Sequence, residues 1–159
     1  MKAFFGQAVG SPIEGGTMLT VYLVPVFEGR LVCFDVTAKE ARGRWLPWDV
    51  LEVGENPYEA ASELADYWIE TPPVSLELVD VMSLNPPGSP WELALIFRCA
   101  LDAKPVGQGE RTAYVFDAGD FDAIGNFDPV DLERWVRRTS APDALVDENP
   151  TAPGEGLIF

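Results

Sequence analysis

Apolar residues divide the chain into strand-like runs arranged around one amphipathic segment. Residues 17–27 (Thr-Met-Leu-Thr-Val-Tyr-Leu-Val-Pro-Val-Phe) are rich in β-branched and aromatic side chains, and residues 30–36 (Arg-Leu-Val-Cys-Phe-Asp-Val) follow after Glu28-Gly29. Two such runs separated by a two-residue turn predict a β-hairpin. Thr37 to Arg42 reads as a polar loop leading into Trp45-Leu46-Pro47. Residues 74–82 and 91–101 predict two more strands, separated by the breaker cluster Asn85-Pro86-Pro87-Gly88-Ser89-Pro90, and residues 112–116 predict a further short one.

Two helix starts are written into the chain. Asn56 is suited to cap a helix, Pro57 to occupy its first position, and Glu59, three residues after the cap, to bond back to it. A second helix is expected over 129–138, capped by Asp128 with Pro129 at its first position. The stretch 139–159 contains three prolines and two glycines without periodicity, and reads as an extended or partly disordered tail. The expected organisation is therefore a single domain over 1–138 followed by a tail over 139–159. Strands on both sides of a central helix, with another helix near the end, predict an α+β fold with a mixed sheet between helices.

The cap sets the register of the first helix. At about 100° per residue, with Glu59 at zero, Glu63 falls near roughly 40°, Asp66 near roughly 340° and Glu70 near roughly 20°. Four carboxylates thus share one narrow face. Such a stripe suits an oxygen-liganded divalent cation, and it equally suits a solvated helix surface. Leu64, Tyr67 and Trp68 widen the apolar arc beyond what one core needs. Their cover would be the tail through Leu157-Ile158-Phe159, a second copy of the chain, or an apolar ligand.

Composition narrows the chemistry. Histidine is absent from the 159 residues, which removes the commonest general base and transition-metal ligand. Any reaction must run on carboxylates, Tyr, Cys, Lys or Arg. A net charge of −15 argues against a nucleic-acid partner, because that affinity rests largely on basic groups displacing counterions. A small anion stays open if Arg42, Arg44, Arg98 and Arg111 gather in one cleft. No apolar run is long enough to span a bilayer, and the apolar stretch at the start is too short for a secretory signal. A cytoplasmic protein without a membrane partner is expected. Cys33 and Cys99 both lie in strand-like runs and read as reduced core thiols.

The stretch Leu46-Pro47-Trp48-Asp49-Val50-Leu51-Glu52-Val53-Gly54-Glu55, continued by Asn56-Pro57 and the helix through Trp68, resembles the signature of the Nudix hydrolases. In that family a Leu-Pro-Gly-Gly turn, a loop ending in Gly-Glu and a helix carrying Arg-Glu-x-x-Glu-Glu hold a divalent metal against a nucleoside diphosphate. The order of hairpin, loop, helix, paired strands and closing segment 121–127 is similar as well. The resemblance implies a Nudix-type α/β/α sandwich, with Glu55 ordering the site and Glu52 holding the loop. Aligned without a gap, however, the three metal-binding glutamates fall on Leu64, Tyr67 and Trp68. A one-residue deletion would instead bring Glu63 and Asp66 onto catalytic positions, at the expense of the core face formed by Ala61, Ala65 and Ile69. The glycine pair of the turn is replaced by Trp48-Asp49, where Asp49 either substitutes for a lost carboxylate or simply begins a strand. Glu110, in the glycine-containing loop Gly107-Gln108-Gly109-Glu110, lies where some members of the family send an extra acid.

Three readings follow. The first is a Nudix-fold protein that has lost or strongly altered the metal-dependent hydrolysis and serves as a ligand-binding or interaction module, with Arg44, Trp48, Tyr67 and Trp68 as ligand contacts. The second is a divergent hydrolase of nucleoside diphosphate-linked compounds, with Glu55, Glu63 and Asp66 as catalytic groups and Glu55, Glu59 and Glu63 as ligands for Mg²⁺ or Mn²⁺. The third is a scaffold that forms a homodimer through the apolar helix face.

Overall fold

The computed structural model describes residues 17–39, 42–88, 90–117, 120 and 123–138, so the predicted tail lies outside the described residues. Its elements in chain order are β1 (Thr17–Phe27), β2 (Arg30–Val36), β3 (Gly43–Trp45), β4 (Trp48–Val50), α1 (Pro57–Trp68), β5 (Ser75–Leu84), β6 (Trp91–Leu101), β7 (Arg111–Phe116) and α2 (Pro129–Arg137). The sheet runs in the order β3-β2-β1-β6-β5, with β4 attached to β1 and β7 to β2. β1 and β6 pair in parallel from Thr17↔Trp91 to Phe27↔Leu101, while the other strand pairs are antiparallel. The expected mixed sheet between helices is present.

β1 is apolar on both faces because both faces are covered. Val21 and Leu23 join Phe34, Phe97 and the buried side of α1 in one core cluster, and Tyr22, Val24 and Val26 join Ile96, Phe127 and α2 in the other. The β1–β2 hairpin turns through Glu28-Gly29, as predicted, but its register is held only at Val26↔Leu31 and Phe27↔Arg30. Beyond these two pairs the strands part. The upper half of β1 then takes β4, with Tyr22 opposite Trp48, while β2 takes β7 on one edge and β3 on the other. Each of β3 and β4 is only three residues long, too short for a periodicity to show. Trp48-Asp49 therefore stands as strand, with no residue there in the left-handed region that the family's glycine pair would use.

At α1 the Asn56 side chain accepts the Tyr58 N–H at 2.8 Å. Ala61, Leu64, Ala65 and Ile69 are buried, and Glu59, Glu63, Asp66 and Glu70 are exposed. This is the core face expected of the ungapped alignment. α2 starts on Asp128, which accepts from Asp131 N at 2.9 Å, and stops at Arg138, whose backbone is left-handed. Arg98 closes its end by donating to the Val136 carbonyl at 3.2 Å. Cys33 and Cys99 are free, and burial pushes both thiols up to about 12, which suits inert core side chains. No described helix is long and apolar enough to cross a membrane.

A polar clamp docks α2 on the edge of the sheet. Asp80, beside the register shift of β5, accepts from Arg134 at 2.8 Å, from Trp135 Nε1 at 2.9 Å and from Val81 N at 2.8 Å. Burial alone would raise its carboxyl, but the bonds from Trp135, Arg134 and Val81 outweigh that and hold it below its ordinary value. A depressed carboxyl stabilises the fold fully above its unfolded value, about 3.9, and loses that contribution as pH falls through the lower folded value. Asp80→Asn is expected to cost about 1 to 3 kcal/mol in denaturant melts at neutral pH. The gap from wild type should narrow as melts are repeated at pH values falling through the lowered folded value of Asp80, since its carboxyl is then neutral in both states.

Candidate functional site

Where the hairpin parts, the C-terminal half of α1, strands β3 and β4 and the loop before β7 enclose a cleft of about 600 Å³. Its walls are chiefly aromatic, with Trp45, Trp48, Tyr67 and Trp68 facing the polar set Gln108, Glu110 and Arg111. Two of the rings are placed by packing behind them. Trp68 stands edge-on to Phe34 at 5.2 Å, and Trp48 stacks on Tyr22 at 6.1 Å, which in turn meets Phe127 edge-on at 4.8 Å. Tyr22 is itself fixed from the core: burial first, and then its hydrogen bond to Glu92, push its phenol well above the ordinary range. Glu92 is buried and also accepts from the Thr20 hydroxyl at 2.6 Å.

Arg111, the first residue of β7, lays its guanidinium over two of these rings, 4.4 Å from the centre of Tyr67 and 4.5 Å from that of Trp68. Its Nη1 is buried and finds no hydrogen-bond partner among the described residues. Stacking of this kind holds the planar fork still while leaving its edge as a donor.

The loop carrying Gln108 and Glu110 is pinned at both ends. Glu70, expected on the acid stripe, lies instead beyond the end of α1, where the backbone has turned extended at Ile69, and it accepts from Val106 N at 3.0 Å and from Gly107 N at 2.7 Å. Gly107, with φ +105, lies so close to the start of β7 that an added Cβ would meet the Arg111 carbonyl oxygen at 2.2 Å. On the far side the Glu110 carbonyl accepts the Thr37 N–H at 2.9 Å. In this position Glu70 is a structural strut, a role that helix periodicity could not show because the helix ends before it and its partners are backbone groups far along the chain.

A smaller cleft of about 290 Å³ adjoins the first at Tyr67 and is lined by Asp49, Glu55 and Glu63. Glu55 is occupied in ordering its own loop. Its Oε2 accepts the Glu52 N–H at 2.9 Å across the turn made by Gly54, where φ is +85. Asp49 likewise accepts from the adjacent Val50 N at 2.8 Å. Glu59 and Asp66 are exposed and line neither cleft, so the suggested metal trio of Glu55, Glu59 and Glu63 is not gathered, nor is the catalytic trio of Glu55, Glu63 and Asp66. Among the described residues no three His, Cys, Asp or Glu side chains are grouped to hold an ion. The donor set does not fit a Mg²⁺ or Mn²⁺ centre of the family type, since Leu64 lies buried under the sheet and Tyr67 and Trp68 are bound up with Arg111.

The arginines do not converge. Arg44 alternates with Trp45 along β3, lines a different surface groove, and pairs with Asp35 at 3.0 Å over the Phe116 ring at 4.9 Å. Arg42 shares that groove and Arg98 serves α2, leaving Arg111 as the cation of the aromatic cleft. Of the suggested ligand contacts, Trp48, Tyr67 and Trp68 line the cleft and Arg44 does not. The apolar arc of α1 is covered at Leu64 by the protein's own sheet, whereas Tyr67 remains 66% exposed.

Two substitutions test how the loop wall is held. Gly107→Ala is expected to cost at least about 2 kcal/mol, because the methyl group meets backbone and the φ is one that L-residues rarely adopt. Glu70→Ala should cost less, about 1 kcal/mol, given the exposure of its carboxylate. Amide hydrogen exchange at Val106 and Gly107 should rise in Glu70→Ala; unchanged exchange there would show that the loop is held by other contacts.

No protein-family model and no curated protein sequence matches the chain. Solved structures do. A MutT protein from Methanosarcina mazei Go1 superposes with a TM-score of 0.65 at 13% identity, over 79% of this chain and 96% of its own. The NUDIX domain of Shewanella oneidensis NrtR, complexed with ADP ribose, gives 0.60 at 13% identity over 77% and 88%. The E. coli dihydroneopterin triphosphate pyrophosphohydrolase gives 0.60 at 14% identity over 76% and 96%. With its mixed sheet between two helices and the hairpin parted by short strands, the chain has the Nudix fold.

Proposed function

We propose that this protein is a small-molecule-binding module on the Nudix fold, in which metal-dependent diphosphate hydrolysis has been lost. One observation carries the reading: the helix positions that the resemblance assigns to metal-binding glutamates hold Leu64, Tyr67 and Trp68, and these side chains serve packing and the aromatic cleft. No rotamer change can supply a carboxylate there. A cleft of about 600 Å³ with aromatic walls and a few polar groups has the size and character of a small-molecule site. That the NrtR domain is described with ADP ribose indicates that a fold of this shape can seat a compound of that size. The net charge of −15 weighs against nucleic acid as partner, and the free buried thiols suit a reducing, cytoplasmic setting.

A second reading has one observation in its favour. Asp49, Glu55 and Glu63 do line a common small cleft, and a divergent hydrolase using Mg²⁺ or Mn²⁺ would have to work there.

Incubation with ADP-ribose and other nucleoside diphosphate compounds, with Mg²⁺ or Mn²⁺, separates the two. We expect no product above the uncatalysed background. Turnover of about 1 s⁻¹ or more, abolished by Glu63→Gln, would replace the binding module with the hydrolase.

A further inference from the structure

We infer that the aromatic cleft takes a planar aromatic monocarboxylate without a metal ion, its carboxylate held by Arg111 and its ring among the aromatic walls. The inference rests on the binding-module reading and names the ligand class of the same cleft.

Three observations lead to it. The first is the state of Arg111, whose Nη1 is buried and has no partner among the described residues. A buried donor without an acceptor is costly, and a carboxylate supplies two acceptor oxygens in the plane of the guanidinium fork. Glu110 lines the same cleft, yet no ion pair joins it to Arg111 among the described residues. The second is the wall opposite. Trp45 and Trp48 belong to strands, and Trp48 is backed by Tyr22, so flat apolar surface is already in place for a ring.

The third is charge. The cleft offers one guanidinium, beside Glu110, and at Tyr67 it opens onto the groove lined by Asp49, Glu55 and Glu63. A single carboxylate is matched by Arg111. A diphosphate would place further negative charge against those acids with nothing gathered to neutralise it, and like charges at short range discriminate strongly. The walls therefore favour a monoanion over a nucleoside diphosphate.

Isothermal calorimetry on the EDTA-treated full chain tests this. The probes are benzoate, 1-naphthoate, indole-3-carboxylate and quinoline-2-carboxylate, each against its own amide, with ADP in the absence of metal as the diphosphate. At least one acid is expected to bind about tenfold or more tightly than its amide, the scale of one charge-assisted hydrogen bond. Arg111→Met should erase that preference, and Arg111→Lys should keep part of it. Should Arg111→Met fail to fold, a shift of the Arg111 Nε–H resonance in the wild-type protein on adding the acid, absent with the amide, gives the same information. The proposal is overturned if no acid is preferred over its amide, if the preference survives in Arg111→Met, or if the resonance does not move. Tighter binding of metal-free ADP than of every acid also overturns it, yet leaves the binding module standing; only hydrolysis removes that.

Discussion

The parallel pairing of β1 with β6 is the constraint on which the remaining structure depends. It runs along the full length of both strands, from Thr17↔Trp91 to Phe27↔Leu101. A parallel neighbour cannot be reached by a tight turn, so the chain between the two must cross the sheet. The crossing segment includes β2, β3, β4, the Glu52–Glu55 turn, α1 and β5. Because β1 lies mid-sheet with helices over both faces, its side chains from Val21 to Val26 have no solvent side and are apolar. One strand pair thus decides where α1 docks and which of its faces is buried.

The parting of the hairpin follows from the same arrangement. β2 can stay beside β1 for only two residue pairs before β4 claims the latter's upper half, and β2 turns to β7 and β3 instead. The aromatic cleft draws its strand-borne walls from Val36 of β2, Trp45 of β3 and Trp48 of β4. Its contents are then set by which residues the short strands and the end of α1 present. Here they present rings, and the one cation that reaches them lies flat on two of those rings. Glu59, Glu63 and Asp66 fall on the exposed face of α1, while Glu70, beyond the helix end, serves as a strut.

Much of the fold was legible in the residues. Long β-branched runs gave β1, β2 and β6, and the Asn56-Pro57 and Asp128-Pro129 pairs gave both helix starts, because these signals are local. β3 and β4 were not legible. They are strands by virtue of their partners across the sheet, and three residues carry no period of their own. The site was legible in part for the same reason. Helix geometry alone separated the acid stripe from Leu64, Tyr67 and Trp68, but it could not tell that Leu64 is covered by the sheet while Tyr67 lies open in a cleft. Arg44, expected as a ligand contact, lines a different groove from Trp45 because alternate residues of a strand point to opposite faces. Arg111, some forty residues beyond the helix, came to the cleft only through the pairing of β7 with β2.

Long-range and short-range electrostatics oppose one another at this cleft. A net charge of −15 repels any anion that approaches, though salt confines the effect to about 8 Å from each exposed charge at physiological ionic strength. Inside the cleft the rings exclude water on one side of Arg111, so its attraction is screened far less than that of a surface cation. Repulsion on approach grows with each charge the ligand carries, whereas the attraction is limited to what one guanidinium can give. Each added negative charge therefore raises the opposing field without adding a contact. Selectivity for a singly charged ring arises from this imbalance, and it requires no further side chain to enforce it.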